Sequence, residues 1–173
     1  MKPLYVKPNR RKLQLERDAA RLFISIYNQT NINRFRLLYQ QEKPDAVLQD
    51  SRGHKLGVEI THLFYNESEA RQLLKVPPQS FVCIETFDNL VEALNQLILR
   101  KEAKSQGYNH NYPLALLIRS LSNNFGWSDF NYAWDKVLKP SSAFTEIWFL
   151  ARERTDNGQW YLKSLGGKYG SSE

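Results

Sequence analysis

The chain has 173 residues, a length that fits a single domain with its own hydrophobic core, and we expect one domain over residues 1–173. The longest apolar run, at residues 114–118, is far shorter than a bilayer span, so we expect no transmembrane helix and no membrane partner. One cysteine excludes an internal disulfide and favours a reducing, cytoplasmic setting. The net charge of +6 favours an anionic partner, and nucleic acid is the commonest one.

Hydrophobic spacing in the first half of the chain predicts one long helix followed by short strands. Apolar residues recur at helical intervals from Leu15 to Ile26, and apolar runs on either side of a turn-forming segment around Gly53 indicate a β-hairpin. The predicted elements are helix 12–28, strand 35–39, hairpin strands 46–48 and 56–64, helix 67–74 and strand 81–84.

The second half is dominated by a predicted long helix and a strand that is apolar on both faces. Such a continuous apolar run is typical of a central strand covered on both sides. Ser128 is a candidate N-cap for a third helix, and Asp156-Asn157-Gly158 is a strong turn signal. The predicted elements are helix 88–105, strand 112–121, a helix from Ser128, strand 144–151, strand 160–165 and a fraying tail 166–173. The whole pattern predicts an α/β fold with a central mixed β-sheet flanked by helices.

Two acidic residues are predicted to meet on the hairpin. Folding the hairpin about Gly53 brings Asp45 opposite Glu59, and strand alternation places both side chains on one face. Like charges directly across a strand pair are destabilising, and a divalent cation between them would remove that cost. The alternative is a solvent-facing hairpin whose two carboxylates are hydrated.

These residues resemble the core motif of the PD-(D/E)XK nuclease superfamily. Pro44-Asp45, a short strand, a turn and then Gly57-Val58-Glu59-Ile60-Thr61 follow its pattern, and the order of helices and strands is similar over about residues 12–121. The resemblance implies a restriction-endonuclease-like core, with residues 122–165 as a C-terminal helix and hairpin extension. It also implies hydrolysis of nucleic acid with Mg²⁺ or Mn²⁺ held by Asp45 and Glu59. Glu16 would match an assisting glutamate of the first helix, or be a solvated helix residue.

One residue departs from that family. The family's lysine stands two positions after the second acid, where this chain has Thr61, which carries no charge. Either the site is inactive or the lysine has moved. Continuing the apolar stripe of helix 88–105 leads to Lys101 and Lys104, with Tyr108 four residues further on. This arrangement resembles members whose basic residue has migrated to this helix. Alternatively, both lysines complement the helix dipole and extend past apolar surface.

Other chemistries have less support. Three scattered histidines and one cysteine do not favour a zinc site, and we expect His62 to be packed or hydrogen-bonded on the face opposite Thr61. An aromatic cluster at residues 125–134 fits core packing better than base stacking. The basic stretch at residues 2–12 is either a solvated tail or an arm that contacts phosphates.

The sequence therefore predicts a metal-dependent nuclease in which Asp45 and Glu59 bind the metal and Lys101 and Lys104 assist catalysis. Tyr108 and Thr61 are the candidate substrate-binding residues. DNA is expected as the substrate rather than RNA, and a homodimer is possible. The alternative hypothesis, favoured by Thr61, is a nuclease fold that has lost catalysis and acts as a nucleic-acid-binding or regulatory module.

Overall fold

A computed structural model describes residues 10–64, 86–108, 111–122, 124–137, 143–155 and 157–166. The helices and strands are, in chain order, α1 (Arg10–Thr30), β1 (Phe35–Gln40), β2 (Ala46–Asp50), β3 (Lys55–Leu63), α2 (Phe87–Lys104), β4 (Leu114–Ser120), α3 (Trp127–Tyr132), β5 (Glu146–Arg152) and β6 (Trp160–Gly166). Short 3₁₀ turns at Ser105–Gly107 and Trp134–Lys136 follow α2 and α3.

The six strands form one mixed sheet in the order β1-β2-β3-β4-β5-β6. The first three strands are an antiparallel meander, β3, β4 and β5 run parallel to one another, and β6 returns antiparallel to β5. The predicted α/β fold with a central mixed sheet is thereby confirmed. Parallel neighbours require a crossover, and the segment containing α2 joins β3 to β4.

Two glycines shape the β2–β3 hairpin. Gly53 has a φ of 88°, a conformation that L side chains adopt only with strain, and its N–H donates to the carbonyl of Asp50 at 3.1 Å to close the turn. Gly57 lies inside β3, where a Cβ would come within 2.7 Å of both Pro44 and Tyr112. Because Gly57 has no side chain, Pro44 and Tyr112 can pack against β3 at this position.

Hydrophobic residues fill both faces of the sheet, so the molecule has three layers. Helix α1 packs Ala19, Ala20 and Phe23 against one face, whereas α2 packs Leu90, Leu94 and Ile98 against the other. Every residue of β4 is buried, which confirms the prediction of a central strand covered on both sides.

The aromatic residues after β4 belong mainly to the core on the α2 face. Phe130 is fully buried and packs its ring 4.7 Å from that of Phe149, and Phe125, Trp127 and Trp134 pack against the same core. Core packing, the alternative preferred from the sequence, is confirmed for these four residues. Tyr132 differs, since 91% of its surface is exposed.

The prediction that Ser128 caps the third helix is wrong. Helix α3 begins at Trp127 with Gly126 as the N-cap, and the Asp129 carboxylate accepts a hydrogen bond from the Gly126 N–H at 2.8 Å. Ser128 lies inside the helix and donates its hydroxyl to Glu153. The regular helix also ends at Tyr132, because the chain tightens into a 3₁₀ turn from Trp134.

Some expectations fall outside the described residues. They are helix 67–74, strand 81–84, the basic stretch before residue 10 and the tail after residue 166. Within the described part of the chain, no helix combines the length and hydropathy needed to cross a bilayer.

Candidate active site

Asp45 and Glu59 lie where the start of β2 faces the middle of β3. Ala46 pairs with Val58, so the register continued by one residue sets Asp45 opposite Glu59, as the hairpin count predicts. Both side chains are buried, with exposed fractions of 7% and 6%. The backbone N–H of Ile60 donates to Asp45 Oδ2 at 2.8 Å, which fixes the carboxylate against β3.

Lys101 reaches this pair from α2. Its Nζ lies 2.6 Å from Glu59 Oε1 and donates a hydrogen bond to it, forming an ion pair between the helix and the sheet. Leu94 and Ile98 are buried on the same face of α2, so the apolar stripe leads to Lys101 as the spacing predicts. The interaction of Lys101 is thus with a buried carboxylate, beyond any contribution from the helix dipole.

Glu16 approaches from α1 and is the third buried acid of this region. Only 2% of Glu16 is exposed, and Lys12 lies one turn before it with Nζ 3.2 Å from Glu16 Oε1. Burial raises the pKa of the Glu16 carboxyl, although Lys12 opposes that effect. The alternative in which Glu16 is a solvated helix residue is therefore wrong.

The three acids act on one another electrostatically. Burial, followed by the negative charges of Glu59 and Glu16, raises the pKa of Asp45 to about 7, even though the Ile60 N–H favours its ionised form. Lys12 and Lys101 supply the nearby positive charge. The cluster is therefore rich in carboxylates that are partly neutralised by two lysines.

Tyr108 and Thr61 also lie beside the pair. Tyr108 is buried immediately after the 3₁₀ turn, and burial followed by the charge of Glu59 raises the pKa of its hydroxyl above the ordinary value. Thr61 is half-buried in β3 two residues after Glu59, so its side chain lies on the Glu59 face of the strand. The Tyr108 hydroxyl is therefore protonated at neutral pH and is a hydrogen-bond donor.

Lys104 lies apart from this group. It is exposed in the last turn of α2, three residues beyond Lys101, and no described contact joins it to Asp45 or Glu59. The structure therefore brings Lys101 to the acids and leaves Lys104 at the surface. Its predicted catalytic role stays a prediction without structural support.

The donor set fits a small hard cation better than a full protein cage. Among the described residues, no three His, Cys, Asp or Glu side chains are grouped as a metal site. However, Glu59 Oε2 is buried and has no hydrogen-bond partner in the described part of the chain. Mg²⁺ is commonly held by one or two carboxylates, with waters and substrate phosphate completing the coordination. Asp45 and Glu59 meet that requirement.

Lys12 is a site residue that the sequence analysis did not identify. The available signal was its i, i+4 spacing to Glu16, which places the two side chains on one face of α1. For the basic stretch that ends at Lys12, the sequence predicts either a solvated tail or an arm that contacts phosphates. The structure instead ties this lysine to a buried glutamate.

A second polar cluster, also not predicted, lies on the α1 face of the sheet. His62 of β3 is paired in register with Arg119 of β4. Arg119 is buried, and its guanidinium donates to the Leu15 carbonyl at 3.4 Å. Both ring nitrogens of His62 and Nε of Arg119 lack hydrogen-bond partners among the described residues. His62 is packed, with its ring 6.2 Å from that of Phe64, so packing rather than hydrogen bonding holds it.

An open pocket of about 510 Å³ lies elsewhere, between the end of α1 and the β1–β2 strands. Its walls include Arg34, Arg36, Gln49 and Asp50. Despite some desolvation, hydrogen bonds from Asn33, His54 and Arg52 lower the pKa of Asp50 to about 2, so this carboxylate serves the hairpin turn. Neither Asp45 nor Glu59 lines this pocket, and it is not the candidate active site.

Comparison with known proteins adds no assignment to this geometry. No protein-family model, no curated protein and no solved structure matches the chain.

Proposed function

We propose that this protein is a divalent-metal-dependent nuclease whose metal is held by Asp45 and Glu59. The observation that carries the proposal is the Glu59 carboxylate, with one oxygen paired to Lys101 at 2.6 Å and the other buried without a partner among the described residues. A buried carboxylate oxygen of this kind, beside a second carboxylate, could coordinate a hard cation.

The arrangement of elements supports a restriction-endonuclease-like core. The chain runs α1-β1-β2-β3-α2-β4, with the two acids on the β2–β3 hairpin and β4 parallel to β3. This is the order that the PD-(D/E)XK resemblance implies. Fold alone does not establish chemistry, so the proposal depends on the side chains of the site.

The residues of the site divide the work among them. A bound Mg²⁺ or Mn²⁺ would polarise the phosphodiester and lower the pKa of a coordinated water. Lys101 orients Glu59 and places a positive charge beside the two acids. Thr61, at the position of the family's lysine, is uncharged and cannot supply that charge. Tyr108 is held beside Glu59 with its hydroxyl protonated, and this hydroxyl is the proposed hydrogen-bond donor to a phosphate oxygen.

Metal binding tests the proposal without reference to activity. Calorimetry with Mn²⁺ is expected to show binding to the wild-type protein and at least about tenfold weaker binding to Glu59→Gln and to Asp45→Asn. Glu92→Gln, which changes an exposed acid of α2, is the matched control and should bind Mn²⁺ as the wild type does. Equal affinity in Glu59→Gln and wild type, or no binding to the wild type, would refute the proposed metal site.

Cleavage measured in the same buffer separates the substrates. We expect metal-dependent hydrolysis of DNA, with RNA as the comparison substrate and circular DNA to reveal internal cuts. Lys101→Met should lower the rate by about 100-fold, because it removes the positive charge beside the two acids, whereas Lys104→Met should not.

A second candidate function is a nucleic-acid-binding module that has lost catalysis, and Thr61 favours it because the usual lysine position is uncharged. Metal binding and DNA binding without hydrolysis under any of these conditions would favour this function over the nuclease.

A further inference from the structure

The positive charge of the protein is concentrated in one short stretch. Residues 10–40, which form α1 and β1, contain seven Lys or Arg and two Asp or Glu, a surplus of five positive charges. The whole chain has a surplus of six. Nearly all of the net charge therefore lies on one helix and the strand at the edge of the sheet.

The two acids of this stretch are already engaged. Glu16 is buried beside Lys12, and the Asp18 carboxylate accepts a hydrogen bond from Gln14 at 2.8 Å. Three exposed arginines, Arg10, Arg17 and Arg21, form no ion pair with a described carboxylate. Their charge is thus available to an external partner.

These three arginines share one face of α1, which we name the arginine face. Spacings of seven and four residues keep their side chains within a narrow angle on a helix of 3.6 residues per turn, and the row is about 16 Å long. Arg17 Nε donates to Gln40 Oε1 at 2.8 Å, so the middle of the row is anchored to the end of β1.

The arginine face is linked through the end of β1 to the segment that carries the acidic pair. Arg17 bonds Gln40, and the N–H of the next residue, Gln41, donates to the carbonyl of Asp45 at 3.0 Å. Lys12 and Glu16, which act on Asp45 electrostatically, lie about 100° or more around α1 from Arg17. The arginine face is therefore a separate surface on the exposed side of the helix.

We infer that the arginine face binds the sugar–phosphate backbone of double-stranded DNA. Guanidinium groups offer several donors in a planar fork that matches phosphate oxygens. Single-stranded partners usually need exposed aromatic rings as well. On α1 the rings of Phe23 and Tyr27 instead pack against Trp148, with centroids 4.5 Å and 5.9 Å away. The face offers charge on a rigid helix without stacking rings.

This inference rests on the proposed function only in taking nucleic acid as the partner, and its test uses binding in the absence of metal. Fluorescence anisotropy with a short DNA duplex in EDTA gives the affinity at several salt concentrations. We expect the double variant Arg17→Gln/Arg21→Gln to bind about tenfold more weakly and to reduce the salt slope by about two.

The matched control is Arg34→Gln/Arg36→Gln, which removes the same charge from exposed positions of the β1 region outside the arginine face. Circular dichroism checks that both variants fold. Equal weakening in both double variants would overturn the inference, because it would reflect net charge alone. Tighter binding to single-stranded DNA, or equal binding to poly-glutamate, would overturn the choice of partner.

Failure of this surface and failure of the nuclease proposal give different results. If Arg17→Gln/Arg21→Gln binds DNA as the wild type does, the arginine face is refuted, whatever the Mn²⁺ titrations show. If Glu59→Gln keeps its Mn²⁺ affinity while the arginine variant loses DNA binding, the metal site is refuted and the surface stands.

Discussion

Two regions of the molecule bury ionisable groups, and they solve the problem of buried charge in different ways. In the acidic region, Glu59 and Glu16 each have a lysine partner, at 2.6 Å and 3.2 Å. In the basic region, His62 and Arg119 lie side by side, and neither forms a hydrogen bond with a described carboxylate. One region pairs opposite charges, whereas the other keeps one of its two groups neutral.

The difference is visible in the titration of the two regions. Burial, followed by the positive charges of Arg119, Lys101 and Lys12, lowers the pKa of His62 to about 3, so the imidazole stays neutral in the fold. In the acidic region, the pKa of Asp45 rises to about 7 because burial and like charges oppose its ionisation. Pairing thus removes only part of the cost of burying charge in the acidic region, and the proposed cation would offset the remainder.

The largest expected effect comes from breaking the ion pair in the acidic region. Lys101→Met removes the ion-pair partner of the buried Glu59 carboxylate, and we expect it to lower the free energy of unfolding by about 3 kcal/mol in metal-free protein at pH 8. Urea denaturation measures this change. Lys104→Met is the control, and equal stability of the two variants would contradict the role assigned to Lys101.

A smaller effect is expected from the pH dependence of the basic region. His62 has a folded pKa of about 3, below its ordinary value of 6.5, so its stabilising contribution is complete above pH 6.5 and is lost as the pH falls towards 3. Between pH 7 and pH 5, wild type should therefore lose about 2 kcal/mol more stability than His62→Asn. An unchanged slope in His62→Asn would refute this account.

The smallest effect, and one without a loss, is expected for Arg119→Met. Burial disfavours the Arg119 cation, and the charge of Asp18 only partly opposes that effect, without a described hydrogen bond between the two side chains. Replacing Arg119 with an apolar side chain of similar length should therefore leave the free energy of unfolding unchanged or raise it by about 1 kcal/mol. Thermal unfolding at neutral pH measures the change. A loss of more than about 2 kcal/mol would show that Arg119 is compensated by an interaction outside the described contacts.

The Asp45–Glu59 pair and Lys101 could be predicted from the sequence because their determinants are local. Gly53 fixes the turn, the turn fixes the register, and the register sets Asp45 opposite Glu59. The helical stripe of α2 then leads to Lys101. Lys104 continues the same stripe three residues later, but its side chain is exposed and has no described contact with the acids.

The basic region could not be predicted, because its two residues come from strands joined only by a crossover. His62 and Arg119 are neighbours through the parallel register of β3 and β4, which no local pattern specifies. The prediction for the start of α3 is wrong for a different, local reason. The Asp129 side chain caps Gly126 from inside the helix, so the strong N-cap propensity of Ser128 does not decide where the helix begins.

The turn at Gly53 also bears on the order in which the site assembles as the chain folds. Asp45 accepts from Ile60, only 15 residues away, whereas 42 residues separate Glu59 from Lys101. Closing a hairpin takes microseconds, and contacts between distant segments form later because they require a larger loss of chain entropy. The two carboxylates are therefore expected to meet before their lysine arrives, so like-charge repulsion between them opposes the early hairpin.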